Sequence, residues 1–410
     1  MSKEGFTTRS LNIPFSKDDP HKSLQMPVYE SVAFEFDSAE QIAANFRGEY
    51  TAHSYSRTSN PTVEYFELKL KVLTGSHAVL AVSSGMAAIS NSLLAVVKSG
   101  ENIISGSHLF GHTYSLFKQT FAGFGIEVRF SGLTQKKEIE SLIDKKTRAV
   151  YFETVTNPQL EITDIEMLSE VCHKYGLLLI SDSTLTPPNV FVAGGHGVNI
   201  EAISTTKFIS GGATSFGGAI VEHGNFDWKL NPNIQPYADK FGENAFIAAL
   251  RKNIFRNTGT SMAPRNAGFQ IQGLDTLELR VARCYQNCLK LGEYLESHPK
   301  VKSVGYPGLK TSPQYQLAKK YFNGIPGTIM AVDLESQDAC FAFMNRLGII
   351  RRATNINDNK SLILHPYTTI YAEFPEAERI RMGIRDTMMR LSVGIENAED
   401  LIADIEQALS

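Results

Sequence analysis

A lysine can serve as a nucleophilic amine only where its surroundings remove its proton, and Lys207 stands in a segment suited to that task. It lies in Ser204-Thr205-Thr206-Lys207-Phe208-Ile209-Ser210-Gly211-Gly212, just after the short apolar stretch Ala202-Ile203. An amine that loses its proton forms a Schiff base with an aldehyde, and the neighbouring hydroxyls of Ser204 and Thr206 can hold a phosphate. The combination suits pyridoxal phosphate (PLP). A surface lysine at a strand exit is the plainer reading of the same segment.

Further candidates stand where short apolar runs end. Ser83-Ser84-Gly85-Met86 opens a helical stretch, so its free N–H groups and the helix dipole favour an anion such as phosphate. Ser84 is equally well placed as an ordinary N-cap. Asp182 follows an apolar run, and a carboxylate there can keep a pyridinium nitrogen protonated. Asn157, before Pro158, can hydrogen-bond a ring oxygen or simply make a turn. The Phe110 face can stack on a planar ring or fill a core. Tyr55 and Arg57, in a polar loop, can grip a phosphate. Arg390 enters the apolar run Met389–Val393, as a bidentate carboxylate grip or a structural ion pair would.

The elements that must position these groups alternate. Strand candidates are Ala78–Val82, Asn102–Ser105, Glu127–Phe130, Ala149–Phe152, Leu177–Ser181, Ala202–Ser204 and Gly218–Val221. Helical periodicity fills Gly85–Val97, Tyr114–Gly123, Lys136–Lys145 and Ile165–Tyr175. Near-continuous apolar strands separated by helices predict an α/β fold with a mostly parallel sheet covered on both faces. Ligands bind such sheets at the carboxyl ends of the strands, where most of the candidates fall. Residues 1–62 lack a steady period and read as an extended arm. Residues 63–260 form the large domain, and residues 261–410 a smaller α+β domain. The segment Gly224–Gly242, with Pro232 and Pro236, reads as a loop.

Composition narrows the function classes. The chain has 410 residues, 42% hydrophobic and 20% charged, with a net charge of −3, so it carries no sign of binding nucleic acid or a membrane surface. There is no signal-peptide pattern, no membrane-length apolar run and no metal-ligand spacing. Four cysteines exclude a disulfide scaffold and predict a reducing cytoplasm.

Taken in order, these segments resemble the PLP enzymes of cysteine and methionine metabolism. The resemblance runs from Tyr55-Ser56-Arg57…Asn60-Pro61-Thr62 through Ser83–Ala88, Asp182…Thr184 and Ser204…Lys207 to Ser361-Leu362…His365-Pro366 and Arg390–Gly394. It implies the aspartate-aminotransferase-like fold type I. It also implies that Lys207 is the Schiff-base lysine and proton shuttle, Asp182 the pyridinium partner and Asn157 the ring-oxygen partner. Gly85, Met86, Ser204 and Thr206 would hold the phosphate, and Phe110 would stack on the ring. Tyr55 and Arg57 would reach the neighbouring subunit's phosphate, which implies a homodimer at least and commonly a tetramer. Arg390 would hold the substrate carboxylate. Three positions depart from the family pattern: Phe110 where Tyr is usual, Ser183 where Asn is usual, and Gly212 where His is frequent.

Within the family, Asn355-Ile356-Asn357-Asp358-Asn359-Lys360-Ser361-Leu362 is similar to O-acetylhomoserine sulfhydrylases, with Asn355 in the substrate site and Asn357 replacing a glycine. The resemblance implies γ-replacement of acetate by sulfide to give homocysteine. Its rivals are an O-succinylhomoserine enzyme and a methionine or cystathionine γ-lyase. A non-catalytic anion-binding α/β protein is disfavoured by the absence of a Gly-x-Gly-x-x-Gly or Walker loop. The sulfur donor is open among sulfide, methanethiol and a protein sulfur carrier.

Overall fold

The computed structural model describes residues 4–15 and 19–410. Seven short strands build the large sheet: β1 (Ala78–Val82), β2 (Asn102–Gly106), β3 (Glu127–Ser131), β4 (Thr147–Glu153), β5 (Leu178–Asp182), β6 (Ile200–Ile203) and β7 (Gly218–Glu222). Their order across the sheet is β1-β7-β6-β5-β4-β2-β3. All pairings are parallel except those of β7, which runs antiparallel to both β1 and β6. The fold is thus the mixed, mostly parallel sheet with helices on both faces that the alternation predicts. Side chains divide by strand pleat. Val79, Ala81, Val150, Phe152 and Leu179 enter the core on one face, and Leu80, Val82, Ala149, Tyr151 and Ile180 enter the core on the other.

Helix boundaries follow local chemistry. Ser84 caps Gly85–Val96 by accepting from the Ala87 N–H at 3.1 Å, and Asn60 caps a helix with Pro61 in its first turn. Gly176, at φ 64°, ends Ile165–Tyr175. The segment expected as a loop before Gly242 instead holds a helix, Gln235–Phe241, because Pro236 sits in the first turn, where its missing N–H costs no hydrogen bond. Residues 4–15 and 19–60 are mostly irregular, with short helices at Phe6–Leu11 and Ala39–Arg47, and Phe6 packs into the core of the large sheet.

A second sheet of five strands comprises β8 (Ser303–Gly305), β9 (Ile329–Asp333), β10 (Arg351–Arg352), β11 (Leu362–Leu364) and β12 (Met388–Ser392), in the order β10-β11-β12-β9-β8. The helix Leu277–Ser297 joins the two units. Leu277 and Val281 pack into the core of the large sheet, while Cys288, Leu291 and Leu295 pack into that of the small one. The preceding helix, Pro264–Asp275, also rests on the large-sheet core through Ala267, Ile271 and Leu274, although it follows residue 261, where the small unit is expected to begin. Among the described residues no helix is long and apolar enough to cross a membrane, and the four cysteines are free and buried.

Candidate active site

The carboxyl ends of β1, β4, β5 and β6 converge on one cavity of about 690 Å³, closed on its far side by β12 and the segment before β11. That size suits a cofactor and a small substrate together. Gly85, Met86, Phe110, Asn157, Asp182, Ser204, Thr206, Lys207 and Arg390 all line it. Nine residues scattered over some 300 positions of sequence therefore share one space. Tyr55 and Arg57 do not line this cavity. Arg57 lies over the Tyr55 ring at 5.4 Å and donates to the Arg256 carbonyl at 2.6 Å.

One end of the cavity is built for an anion. The N-terminus of Gly85–Val96 opens there, and Ser84 consumes only the Ala87 N–H. A Cβ on Gly85 would stand 2.5 Å from the Ser204 Cβ, so only glycine lets this helix start approach the loop after β6. The Thr206 hydroxyl is tied to Gly217 in both directions, donating to its carbonyl and accepting from its N–H, each at 3.0 Å. Ser204 is anchored through its backbone N–H, which donates to Thr184 Oγ1 at 2.8 Å. Its hydroxyl makes no hydrogen bond among the described residues.

Lys207 enters from that loop. Its Nζ donates to Asn355 Oδ1 at 2.6 Å. Burial pulls its pKa down to about 8, and the Arg390 charge adds to this against the opposing carboxylates of Asp358 and Asp182. Near neutral pH a useful fraction of the amine is therefore uncharged, as a nucleophile and proton carrier requires.

Asp182 ends β5, and its Oδ1 accepts from the Thr184 N–H at 2.9 Å. Burial raises its pKa, so its charged form gains from a cationic ring nitrogen placed against it. Directly beside it in register, Glu153 ends β4. Glu153 belongs to no recognisable motif, yet it lines the cavity and joins two loops. Its Oε1 accepts from the Phe110 N–H at 2.7 Å and its Oε2 from the Asn157 N–H at 3.2 Å. Burial, and then the Asp182 charge, push its pKa well up. The usable signal was its position: like Asp182, it is a carboxylate closing an apolar strand. Tyr371 was also missed. Its hydroxyl lies 2.8 and 2.9 Å from the Leu109 and Asn157 carbonyls and shares its one proton between them, holding the same two loops from the C-terminal unit.

Replacing Glu153 with Gln leaves one acceptor for two N–H groups. An unmade buried hydrogen bond costs roughly 1–3 kcal/mol, so cofactor affinity falls by about tenfold or more. Fluorescence titration of PLP into cofactor-free E153Q measures this, and wild-type affinity would show that the two loops hold themselves.

Arg390 lies on β12 and is only 2% exposed. Its Nη1 donates to Asn157 Oδ1 at 3.1 Å and its Nη2 to the Thr354 carbonyl at 3.0 Å. Those are neutral acceptors. No carboxylate pairs with it among the described residues, and burial draws its pKa down to about 10. A buried guanidinium held by neutral oxygens at a cavity wall is ready to receive a carboxylate. Asn157, with its oxygen turned to Arg390, keeps its NH₂ without a partner among the described residues, and so able to donate to a ring oxygen.

Asn355 contacts Lys207 through its oxygen, and its NH₂ donates to Asp358 Oδ2 at 2.9 Å. Two of the sequence departures have local causes. Gly212, at φ 119°, would drive a Cβ into the Asn359 amide, so no histidine fits there. Asn357, at φ 53°, occupies the left-handed region that favours glycine and that Asn tolerates. His365 and Ser361 serve structure. His365 is buried between Thr368 and the Asp386 carbonyl, and Ser361 donates to Glu396 at 2.9 Å.

These groups fit pyridoxal phosphate. The cradle at Gly85 and Ser204 would hold the phosphate, Phe110 would lie against the ring, and Asp182 and Asn157 would meet its nitrogen and oxygen. Lys207 would bond its aldehyde carbon.

Comparisons with known proteins agree. Residues 7–410 match the family model described as Cys/Met metabolism PLP-dependent enzyme. An O-acetyl-L-homoserine sulfhydrylase of Thermus thermophilus is 35% identical, over 99% of this chain and 100% of that one. A homocysteine synthase of Schizosaccharomyces pombe is 34% identical, over 100% and 99%. Among solved structures, a protein of Campylobacter jejuni described as an O-acetylhomoserine (thiol)-lyase superposes with a TM-score of 0.93 at 31% identity. The match covers 99% of this chain and 100% of that one, and that structure carries a pyridoxyl-lysine phosphate. An O-acetylhomoserine sulfhydrylase of Wolinella succinogenes is 46% identical, with a TM-score of 0.78 over 86% of this chain and 99% of its own.

Proposed function

This chain belongs to the Cys/Met metabolism family of PLP-dependent enzymes, and on that footing we propose that it converts O-acetyl-L-homoserine and sulfide to L-homocysteine and acetate. The observation that carries the reading is the meeting of Lys207, Asp182 and Arg390 in one cavity. The names of the relatives at 34–35% identity point the same way.

Bound PLP supplies an electron sink for the charge left at the substrate's Cα once its proton is removed. The protein's residues do the rest. Arg390 takes the α-carboxylate in its fork and so fixes which face of Cα meets Lys207. Lys207 Nζ, its basicity lowered by burial, removes the Cα proton. A second proton leaves Cβ, the Cγ–O bond breaks and acetate departs with the electron pair. Hydrosulfide then forms the new Cγ–S bond, and the two protons return to Cβ and Cα. Phe110 has no hydroxyl to share in this traffic, which therefore falls to Lys207 and water.

The cavity supports acetyl over succinyl. Lys207 and Arg390 are the only lysine or arginine side chains in its described lining, and both have tasks. The distal carboxylate of a succinyl ester would therefore find no free cation in that lining, where His112 and Thr369 stand among apolar side chains such as Ile89, Leu185 and Ile370. Steady-state rates with each ester, with and without sulfide, test this reading. We expect kcat/KM to favour the acetyl ester at least tenfold, and equal values would overturn the acyl assignment.

The working unit is at least a homodimer, in the cytoplasm where four thiols stay reduced. Two features support it. Tyr55 and Arg57 stand off their own cavity, and the arm presents Leu24, 99% exposed, and Phe46, 79% exposed, to solvent.

A further inference from the structure

The contact between Lys207 and Asn355 leaves a question of orientation. A carboxamide has one accepting end and one donating end, and only the accepting end can meet a lysine ammonium, which has three donors and no acceptor. Rotating the Asn355 amide by half a turn would present NH₂ to Lys207 and lose the bond. Asp358 forbids that rotation. It is buried, 5% exposed, and as a carboxylate it can only accept. Its Oδ2 takes the Asn355 NH₂ at 2.9 Å, and its Oδ1 takes the Lys360 N–H at 3.2 Å. The loop around it is pinned at several points. The Asn357 N–H donates to Ser392 Oγ at 2.9 Å, the Asn359 NH₂ to the Gly211 carbonyl at 2.8 Å, and Arg390 to the Thr354 carbonyl at 3.0 Å. The chain Asp358–Asn355–Lys207 therefore has a fixed sense from end to end.

We propose that Asp358 is a positioning residue, which orients the Asn355 amide so that its oxygen receives the Lys207 amine whenever that amine is not bonded to the cofactor. The dock gives the freed amine one resting place at the wall shared with Arg390, between its successive proton transfers. Without it the amine of a four-carbon side chain samples many rotamers. This inference rests on Lys207 being the cofactor lysine, as proposed above.

The test is competitive acylation of the cofactor-free protein with acetic anhydride, read lysine by lysine by mass spectrometry. Lys69, buried and paired with Asp275, reports whether the fold is intact. Asp358→Asn keeps the shape but lets the Asn355 amide turn over. Losing the bond raises Lys207 labelling by roughly two- to tenfold, the worth of one hydrogen bond, with Lys69 unchanged. Asn355→Ala gives the same rise, and the double variant gives no more than Asn355→Ala alone, since both act on one contact. In an Asn355→Asp background both ends accept, so Asp358→Asn no longer raises labelling. In the holoenzyme, Asp358→Asn lowers kcat several-fold and leaves KM for the amino acid within about twofold. Unchanged Lys207 labelling in Asp358→Asn, or additive effects in the double variant, would overturn the proposal. Failure of PLP to protect Lys207 in the wild type would instead overturn the cofactor-lysine reading, so the two failures are distinguishable.

Discussion

Lys207→Ala is expected to abolish γ-replacement while leaving the fold intact. The amine is the single lysine amine in the cavity's described lining, and under the proposed reading it bonds the cofactor's aldehyde carbon and carries protons at Cα and Cβ. General acid–base transfer alone is worth about 10²–10⁴-fold, so the residual rate should lie at least that far down. Removal leaves a single acceptor unmet, Asn355 Oδ1, at a cost of about 1 kcal/mol. Far-UV circular dichroism should therefore match the wild type. The second readout is covalent: borohydride reduction should fix PLP to the wild-type Lys207 peptide and to nothing in the variant. A variant that retains a reducible adduct at another lysine would remove Lys207 from its role.

Arg390→Lys is the second large effect. The charge is kept, so any loss reflects the guanidinium fork and not mere electrostatics. Lysine cannot serve Asn157 Oδ1 and the Thr354 carbonyl while also pairing both oxygens of a substrate carboxylate. Hydrogen bonds to charged groups are worth roughly 1.5–3 kcal/mol, so kcat/KM should fall about ten- to hundredfold. KM should rise, and kcat should fall too, because a loosely held carboxylate leaves Cα misaligned with Lys207. The α-carboxamide analogue of the substrate supplies the control. Wild type should reject it strongly and the variant only weakly. If both proteins discriminate alike, Arg390 does not contact the carboxylate.

What could be read from the sequence was tied to strand ends. Asp182 and the Ser204–Lys207 segment stand where an apolar run stops and a polar one begins, which is also where a parallel sheet binds ligands. Arg390 betrayed itself as a charge inside an apolar strand. Glu153 obeyed the same rule but was hidden as the last residue of β4, and its partners are backbone N–H groups that leave no pattern in sequence. Tyr371 acts through carbonyls more than 200 positions away, and no local signal marks it. Ser84 shows how two readings coexist: it is the N-cap, yet it takes only the Ala87 N–H and leaves those of Gly85 and Met86 without a partner among the described residues, at a helix start that lines the cavity. The helix at Gln235–Phe241 was obscured because Pro236 breaks a helix interior yet fits a first turn. Asn357 counted against the family pattern as a replaced glycine until its φ of 53° showed that the backbone conformation is retained.

Product analysis separates replacement at Cγ from elimination. PLP-loaded protein is given O-acetyl-L-homoserine with sulfide, and the products are identified by mass spectrometry. Homocysteine and acetate in equal amounts, with 2-oxobutanoate a minor product, is the predicted outcome. Stoichiometric 2-oxobutanoate and ammonia, with no homocysteine at saturating sulfide, would contradict it.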